Sequence, residues 1–544
     1  MNRAILWGIE KNAGLNTIPE GLYVLALASR EAGFETEIRL LPRAYVDTIK
    51  RRLPELRRTP PERWDGALGA FFDPLRRAAS RPGLLAHGVA LYEADLDYVV
   101  PLVRFLRASS AAPVIVGGPF PTLSPGGALA ASGADALLAG ECERTWPEFL
   151  RALAAAPAAR RRRPDVDWRA ADGIPGFARP DAAAPGGLRS RPFAYPEPIV
   201  LPRDDLEFWM SMRRLNLGAR RARGDGTFFL SASRGCSRHC LFCSHANGRR
   251  VRCLPAARMR TRWDELRRTF RRWQREGRIG NVCLSFNDDD FLLARRPAEA
   301  LLRHMALRRR EPSLPVMMSV SVPAFFPGGQ LDEALVRRVA DAGVRVLNVG
   351  TDAFSAREIR QLKSAAYTPA MIEELVACFE RHRLHNNHYW MLCGPRTRVS
   401  DIVDQILFAR RLFATYRRFI LIAANVFIIP YRGSRVREAF PPERHPGLYR
   451  ERRFLPPPAA VDGRPAAGRF HDRVWPADPH ARAVVARLAR HMAPGPDGYD
   501  FESNLRRIER YVRRHMSGPE GRAVRRRLDA AGMVLPAGAG KDRP

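Results

Sequence analysis

The sequence has 544 residues, of which 46% are hydrophobic and 27% are charged. It is too long for one ordinary core, so we expect two large domains with smaller extensions. No stretch of about 18 apolar residues is free of charge, which excludes a membrane-spanning helix. The apolar start of the chain is too short for the core of a signal peptide. We therefore expect a cytoplasmic protein without a membrane span.

The formal net charge is +33, and it comes almost entirely from arginine. Four of the 90 basic residues are lysine, so 86 are arginine, scattered along nearly the whole chain. That pattern is typical of a GC-rich genome, whereas a nucleic-acid-binding surface gathers its charge on one face or segment. The densest run, at 160–163, predicts a solvated linker. Nucleic acid is therefore the less favoured partner.

Five predicted strands alternate with helical patterns over residues 1–151, including a helix at Gly21–Ala32. This alternation predicts a doubly wound parallel sheet that binds ligands at the carboxyl ends of its strands. The predicted strands are Ala4–Gly8, Thr36–Leu41, Gly88–Tyr92, Pro113–Gly118 and Ala136–Gly140.

Residues 152–224 are rich in Ala, Pro, Arg and Gly without a steady period, which predicts a connector. Over 225–440 a second alternating series favours a partial (β/α)6 barrel. Residues 441–544 predict a mostly helical extension, with one clear helix at Asp500–Met516. The six predicted barrel strands are Thr227–Ala232, Ile279–Phe286, Val316–Val320, Val344–Val349, Asn387–Leu392 and Ile420–Ile429.

Three of the eight cysteines, Cys236, Cys240 and Cys243, lie within eight residues with the spacing Cys-x3-Cys-x2-Cys. They follow a predicted strand, and Gly235 allows a sharp turn before the first of them. Thiolates are the protein ligands of iron–sulfur clusters. Three of them hold three corners of a 4Fe–4S cluster and leave one iron open to the amino and carboxylate groups of another molecule.

A structural zinc site is the alternative, with His239, His245 or Cys253 as the fourth ligand. Structural zinc usually takes paired ligands from two separated loops, and no second pair stands at that spacing. A zinc-containing nucleic-acid-binding protein therefore stays open as a competing interpretation.

The motif resembles the signature of the radical S-adenosylmethionine (SAM) superfamily, with Phe242 in its aromatic position. The resemblance implies a partial barrel in which a reduced cluster cleaves SAM to a 5′-deoxyadenosyl radical. Asp288 and Asp289 resemble the acidic end of the second barrel strand, near the methionyl group of SAM. Gly350 and Asp352 resemble a Gly-x-Glu segment of the fourth strand, with Asp in the place of Glu. These four residues are the predicted SAM-binding residues.

Two glycine segments of the first domain resemble the cobalamin-binding domain fused to one branch of that superfamily. One runs from Gly117-Gly118 to Thr122, and the other is Gly140-Glu141-Cys142-Glu143. By this resemblance Gly117, Gly118, Thr122, Gly140 and Glu141 are predicted to bind cobalamin. No Asp-x-His-x-x-Gly motif supplies a histidine to the lower face of cobalt. The alternative is a degenerate domain that only contacts substrate.

The resemblance implies a cobalamin-dependent radical SAM enzyme, and we predict a C-methyltransferase acting on a small molecule or natural product. Its cofactors are expected to be a 4Fe–4S cluster, SAM and cobalamin, with flavodoxin or ferredoxin as an external electron donor. A radical rearrangement or cyclisation without methyl transfer is an alternative. A tRNA methylthiotransferase is disfavoured, because only Cys142 precedes Cys236 and that class has three more cluster cysteines. The sequence assigns no catalytic residue.

Overall fold

The computed structural model describes residues 2–10, 15–181, 183, 187–308, 314–363, 367–455, 470–489 and 500–532. The chain divides into two compact units. The first unit comprises Met1–Cys236, Ser244–Asp288 and Arg453–Phe470, and the second comprises Ser237–Cys243, Asp289–Arg452 and His471–Pro544.

The first unit contains a seven-stranded sheet with helices between its strands. The strands are β1 Arg3–Ile9, β2 Glu35–Leu41, β3 Leu84–Ala90, β4 Val114–Gly117, β5 Ala136–Leu138, β6 Phe177–Pro180 and β7 Leu188–Ser190. The helices are α1 Glu20–Glu31, α2 Arg43–Leu56, α3 Asp65–Ala79, α4 Leu96–Ser109, α5 Pro119–Leu123, α6 Pro125–Ser132 and α7 Thr145–Ala155. The strand order is β2-β1-β3-β4-β5-β6-β7, and the first five strands are parallel.

Side chains of β1 alternate between the two faces of this sheet, as strand geometry requires. Ile5 and Trp7 belong to the main apolar cluster, which includes residues of α2, α3 and α4. Leu6 and Gly8 point the other way, toward a cavity. Phe454 and Leu455, from the far end of the chain, also pack on this cluster. The sheet therefore has one closed face and one face with room for a ligand.

Residues 152–224 contain more regular structure than their composition predicts. Strands β6 and β7 extend the first sheet in antiparallel orientation, and the 18-residue helix α8 follows at Leu206–Arg223. Strands of three or four residues are too short to show a period of two. Gly218 interrupts α8 with a φ of 77°, which breaks the helical pattern.

The remaining elements of the first unit open the second alternating series. They are β8 Gly226–Leu230, β9 Ser233–Arg234, β10 Arg252–Cys253, α9 Ala256–Arg275 and β11 Val282–Phe286. Strands β8 and β11 are parallel partners, whereas β9 and β10 form a short antiparallel pair.

The second unit is built on the four parallel strands that follow, in the order β15-β14-β13-β12. Its strands are β12 Val316–Val320, β13 Val344–Asp352, β14 His385–Met391, β15 Phe419–Asn425, β16 Tyr449–Arg452 and β17 Phe470–Val474. Its helices are α10 Arg295–Leu307, α11 Glu333–Asp341, α12 Ala356–Lys363, α13 Pro369–Arg381, α14 Val399–Thr415, α15 Arg435–Ala439, α16 Pro479–Leu488, α17 Phe501–His515 and α18 Pro519–Ala530.

The predicted fold class is confirmed, because β8, β11 and β12–β15 alternate with helices as in a partial (β/α)6 barrel. The last of these strands ends at Asn425 instead of Ile429. Beyond it, Ile428 makes an isolated bridge to Val474. In the described part of the chain, no helix is long and apolar enough to cross a membrane.

Several arginines act as internal hydrogen-bond donors to the backbone. Arg213 is fully buried, and its Nη2 lies within 3.4 Å of the carbonyl oxygens of Arg221, Gly224 and Asp225. Arg163 reaches the carbonyl oxygens of residues 107, 110 and 112 in the same way. The planar guanidinium serves several acceptors at once. Part of the high positive charge therefore stabilises loops.

A buried hydrogen-bond chain joins β13 to β14. His388 Nδ1 lies 2.6 Å from Thr351 Oγ1, and its Nε2 lies 2.9 Å from Asn386 Oδ1. Asn386 Nδ2 donates to the Leu384 carbonyl, so Oδ1 is left to accept from the ring. This network assigns the neutral tautomer with its proton on Nε2. Burial lowers the pKa of His388 to about 3.

We predict that His388 makes the stability of the protein depend on acid. Between pH 6.5 and 3 this histidine binds a proton in the unfolded chain, whereas the buried ring of the folded protein stays neutral. The free energy of unfolding therefore falls as the pH falls. From pH 7.5 to pH 5, the wild type should lose about 2 kcal/mol relative to H388Q. Urea unfolding at both pH values measures this difference. The difference in stability between the wild type and H515Q, which changes an exposed histidine and keeps His388, should be the same at both pH values. A pH-independent difference between the wild type and H388Q would contradict the assignment.

Candidate functional site

A cavity of about 550 Å³ lies in the first unit, at the carboxyl ends of β1, β3, β4 and β5. This volume is within the range of ligand pockets. Several glycines allow close packing in the wall of this cavity, because a Cβ at Gly88, Gly118 or Gly140 would lie within 3.2 Å of Leu6, Leu91 or Phe193. Six lining residues are glycine: Gly8, Gly21, Gly88, Gly117, Gly118 and Gly140.

The two glycine motifs of the first unit meet through Thr122. Thr122 Oγ1 donates to the Gly118 carbonyl at 2.8 Å and accepts from the Gly140 N–H at 2.9 Å. Gly118 has a φ of 108°, and a Cβ there would lie 3.2 Å from the Leu91 carbonyl oxygen. Gly117, Gly118, Gly140 and Glu141 line the cavity, whereas Thr122 stands behind it. The structure therefore gives Thr122 a positioning role between the motifs.

Glu141 belongs to a buried network of two carboxylates and two guanidiniums. Its Oε1 lies 2.5 Å from Arg252, and its Oε2 lies 3.1 Å from Arg234. Glu143 lies 2.6 Å from the same Arg234 nitrogen. Burial lowers the pKa of Arg234, but Glu143 and Glu141 outweigh it and raise that pKa overall. Because Arg234 is two residues before Cys236, this network ties the cavity wall to the start of the cysteine loop.

Glu20, in the first turn of α1, was not among the predicted site residues. It is 7% exposed, and its Oε2 accepts from Ser231 Oγ at 2.9 Å and Asn287 Nδ2 at 3.2 Å. Its other oxygen, Oε1, has no hydrogen-bond partner among the described residues. All three side chains line the cavity. The only sequence signal was the Pro19-Glu20-Gly21 segment, which marks a helix start.

The predicted site residue Asp288 holds the backbone that leads to Cys236. Its carboxylate accepts from the N–H groups of Ala232 and Ser233 and from the Ser233 hydroxyl. Burial raises the pKa of Asp288 to about 7. Both oxygens of Asp288 are engaged by these protein groups. Further along the chain, the Cys236 N–H donates to the Gly248 carbonyl at 3.1 Å.

Cys240 and Cys243 belong to the second unit, where their loop is anchored through its backbone. Leu241 N–H donates to the Leu362 carbonyl at 2.7 Å, and its own carbonyl accepts from Val436 N–H at 2.8 Å. These two bonds connect the loop to the end of α12 and to the start of α15. The segment between Cys240 and Cys243 is thus fixed on both sides.

Alternate residues of the acidic run face different ways. Asp290, which the sequence did not single out, lies 3.2 Å from Arg238 of the cysteine loop and accepts from Ser321 Oγ at 2.5 Å. The predicted site residue Asp289 is exposed. Asp290 is therefore a positioning residue for the loop, while Asp289 faces solvent.

Asp352 and Gly350 lie beside Lys363, a residue the sequence did not single out. Lys363 Nζ is 2.5 Å from Asp352 Oδ2 and 5.6 Å from the centre of the Phe242 ring. A Cβ at Gly350 would lie 3.6 Å from both charged groups. Burial lowers the pKa of Lys363, but Asp352 outweighs it and raises the pKa. The pair places a compact charge against the aromatic residue between Cys240 and Cys243.

The residues present fit an iron–sulfur cluster and a large flat cofactor. Three thiols lie within eight residues on an anchored loop, and thiolates are the donors that such a cluster requires. The cavity is lined by six glycines and carries in its wall the Glu20 oxygen that has no hydrogen-bond partner in the described part of the chain, and this oxygen can accept from a donor group of a ligand.

We predict that K363M is strongly destabilising because it leaves the Asp352 carboxylate buried without its partner. The cost of removing one member of a buried pair is about 3–5 kcal/mol. Urea unfolding of K363M, D352N and the double variant measures it, and the double variant should recover part of the loss. R52M, which breaks the exposed Arg52–Glu55 pair, should change stability by less than about 1 kcal/mol. Equal losses in K363M and R52M would contradict the prediction.

No protein-family model and no curated protein sequence matches this chain. Solved structures do match it. The radical SAM methyltransferase TsrM from Kitasatospora setae, with tryptophan and a SAM analogue bound, is 17% identical with a TM-score of 0.59. That match covers 98% of this chain and 99% of TsrM. The cobalamin-dependent radical SAM enzyme OxsB, with aqua-cobalamin bound, is 11% identical with a TM-score of 0.62.

The OxsB match covers 98% of this chain and 71% of OxsB. Both alignments thus extend over nearly the whole sequence and include both alternating series of strands and helices. At these identities the likeness establishes architecture, and it agrees with the resemblance carried by the cysteine and glycine motifs. The protein therefore has the fold of the cobalamin-dependent radical SAM enzymes.

Proposed function

We propose that this protein is a cobalamin-dependent radical SAM enzyme that transfers a methyl group to an unactivated carbon of a small molecule. The proposal is carried by the combination of two features in one chain. These are the glycine-lined cavity of the first unit and the Cys-x3-Cys-x2-Cys motif at residues 236–243. The proposal is supported by the radical SAM methyltransferase TsrM, whose structure aligns over 98% of this chain. Such a reaction requires a cobalamin site and an iron–sulfur cluster in one protein. We assign the cavity to the first and the cysteine motif to the second.

When bound, the cluster and SAM would supply a 5′-deoxyadenosyl radical, and cobalamin would carry the methyl group. Cys236, Cys240 and Cys243 would hold the cluster. Asp288 and the Leu241 hydrogen bonds fix segments of the loop that carries them. We assign Gly350 and Asp352, with Lys363, to the SAM side of the site. Asp289 remains a predicted SAM contact on the strength of the motif that it shares with Asp288.

The first unit would bind cobalamin at the strand ends. Gly117, Gly118 and Gly140 lie in the wall of the cavity there, and Thr122 fixes the two loops relative to each other. Glu141 forms ion pairs with Arg252 and Arg234, and Glu143 supplies the second negative charge, so the Glu141 carboxylate is already committed to protein groups. We therefore assign Glu141 to positioning the wall of the cavity.

The experiment that tests the proposal is anaerobic purification with iron, sulfide and cobalamin supplied. About four irons per chain and a corrin absorption band are expected, followed by methyl transfer from labelled SAM with flavodoxin or ferredoxin as electron donor. Cofactors without methyl transfer, but with a rearranged product, would favour a radical rearrangement or cyclisation. Zinc without iron would overturn the proposal and favour a zinc-containing nucleic-acid-binding protein.

We predict that C236A, C240A and C243A each abolish the cluster, because two remaining thiolates leave two of its irons without a protein ligand. Iron content and the absorption of the reconstituted protein measure this loss. C253A is the matched control, since Cys253 lies in β10 of the same region and outside the motif. If any of the three variants retained about four irons per chain, the assignment would be contradicted. Loss of iron in C253A would contradict it as well.

A further inference from the structure

A second group of metal-ligating side chains lies in the second unit, apart from the cysteine motif. Glu333 is the first residue of α11, Cys378 lies in α13, and His382 directly follows α13. One ligand atom from each of the three residues lies within 4.8 Å of the other two. The cofactors proposed above use none of these residues.

The local helix geometry explains how two of the ligands come together. Residues four apart on a helix lie one above the other on the same face. The His382 N–H donates to the Cys378 carbonyl at 3.1 Å, so the helical turn continues through both residues. Cys378 and His382 therefore present sulfur and imidazole to the same point. Paired metal ligands at this spacing on one helix are a known zinc-binding arrangement.

Glu333 supplies a third donor from the neighbouring helix. Its Oε1 lies 3.1 Å from His382 Nε2, and its Oε2 lies 3.0 Å from Arg381. Oxygen and nitrogen ligands of tetrahedral zinc, with bonds of about 2.0–2.2 Å, lie about 3.4 Å apart, which is close to the separation of Glu333 Oε1 and His382 Nε2. The Cys378 sulfur lies within 4.8 Å of a ligand atom of each of these two residues, so it moves closer to them when the ion binds. Arg381 holds the second oxygen, which is how ligating carboxylates are commonly oriented.

The three side chains differ in their exposure to solvent, so that one ligand is buried while the others leave an ion access to the site. Cys378 is fully buried, whereas the Glu333 side chain is about half exposed and that of His382 is 21% exposed. An ion can reach the group from solvent on the Glu333 side. A sulfur, a nitrogen and a single carboxylate suit zinc, whereas magnesium and calcium prefer oxygen ligands alone.

We propose that Glu333, Cys378 and His382 form a zinc site that links α11 to α13, with a water molecule as the fourth ligand. Cys378 binds as the thiolate, and its proton passes to solvent when zinc enters. Three protein ligands and one water complete the tetrahedral coordination that zinc takes in sites with an open position. The site is independent of the cluster and of the proposed methyl transfer.

The test uses the full chain with its iron–sulfur cluster reconstituted, so that the motif cysteines are occupied by iron. After incubation with zinc sulfate and removal of excess metal, iron and zinc per chain are measured. About one zinc is expected in the wild type. E333Q, C378S and H382Q should each lose it while iron stays near four. E333Q is the sharpest variant, because a half-exposed side chain is not needed for the fold.

C393S is the matched control. Cys393 is another fully buried thiol of the second unit, and its sulfur donates to the Val426 carbonyl at 2.9 Å. This variant should retain zinc. X-ray absorption at the zinc edge should show one sulfur at about 2.3 Å with nitrogen and oxygen at about 2.0 Å. Zinc bound by several sulfurs, or zinc retained in E333Q and C378S, would overturn the proposal.

Discussion

The buried network of Glu141, Glu143, Arg234 and Arg252 is the interaction on which the site of the first unit depends. Each of the four side chains is at most 13% exposed, and the two pairs of opposite charges cancel. Buried charges are tolerated only when paired and hydrogen-bonded, so no member can be removed without stranding another. Because Glu141 lines the cavity and Arg234 precedes the first motif cysteine, the network fixes the cavity wall and the start of the loop together.

The second unit secures its part of the cysteine loop by different means. Backbone hydrogen bonds hold Leu241, a carboxylate holds Arg238, and the Lys363 ammonium lies between Asp352 and the Phe242 ring. Lys363 is one of only four lysines in a chain with 86 arginines. A compact ammonium fits where a planar guanidinium would need several acceptors, which explains a lysine at this buried position.

The features predicted correctly from the sequence are those carried by residues close together in the chain. The helix predicted at Asp500–Met516 appears at Phe501–His515, and the strand at Val316–Val320 appears as predicted, because their apolar periods are uninterrupted. The connector was predicted without β6, β7 and α8, whose short strands and kinked helix show no period. The positioning roles of Thr122 and Asp288 were also beyond prediction, since their partners lie 18 and about 55 residues away.

The sequence by itself determined the fold class and the three thiols, because strand alternation and ligand spacing are local properties of the chain. Only the tertiary structure decided which polar groups remain available to a ligand. Glu141 and Glu20 look alike in the sequence, yet each oxygen of Glu141 lies within 3.1 Å of an arginine nitrogen, whereas Glu20 Oε1 has no hydrogen-bond partner among the described residues. The difference arises because Arg252 lies 111 residues from Glu141, and Asn287 lies 267 residues from Glu20. Contacts over such separations are set by how the sheets pack.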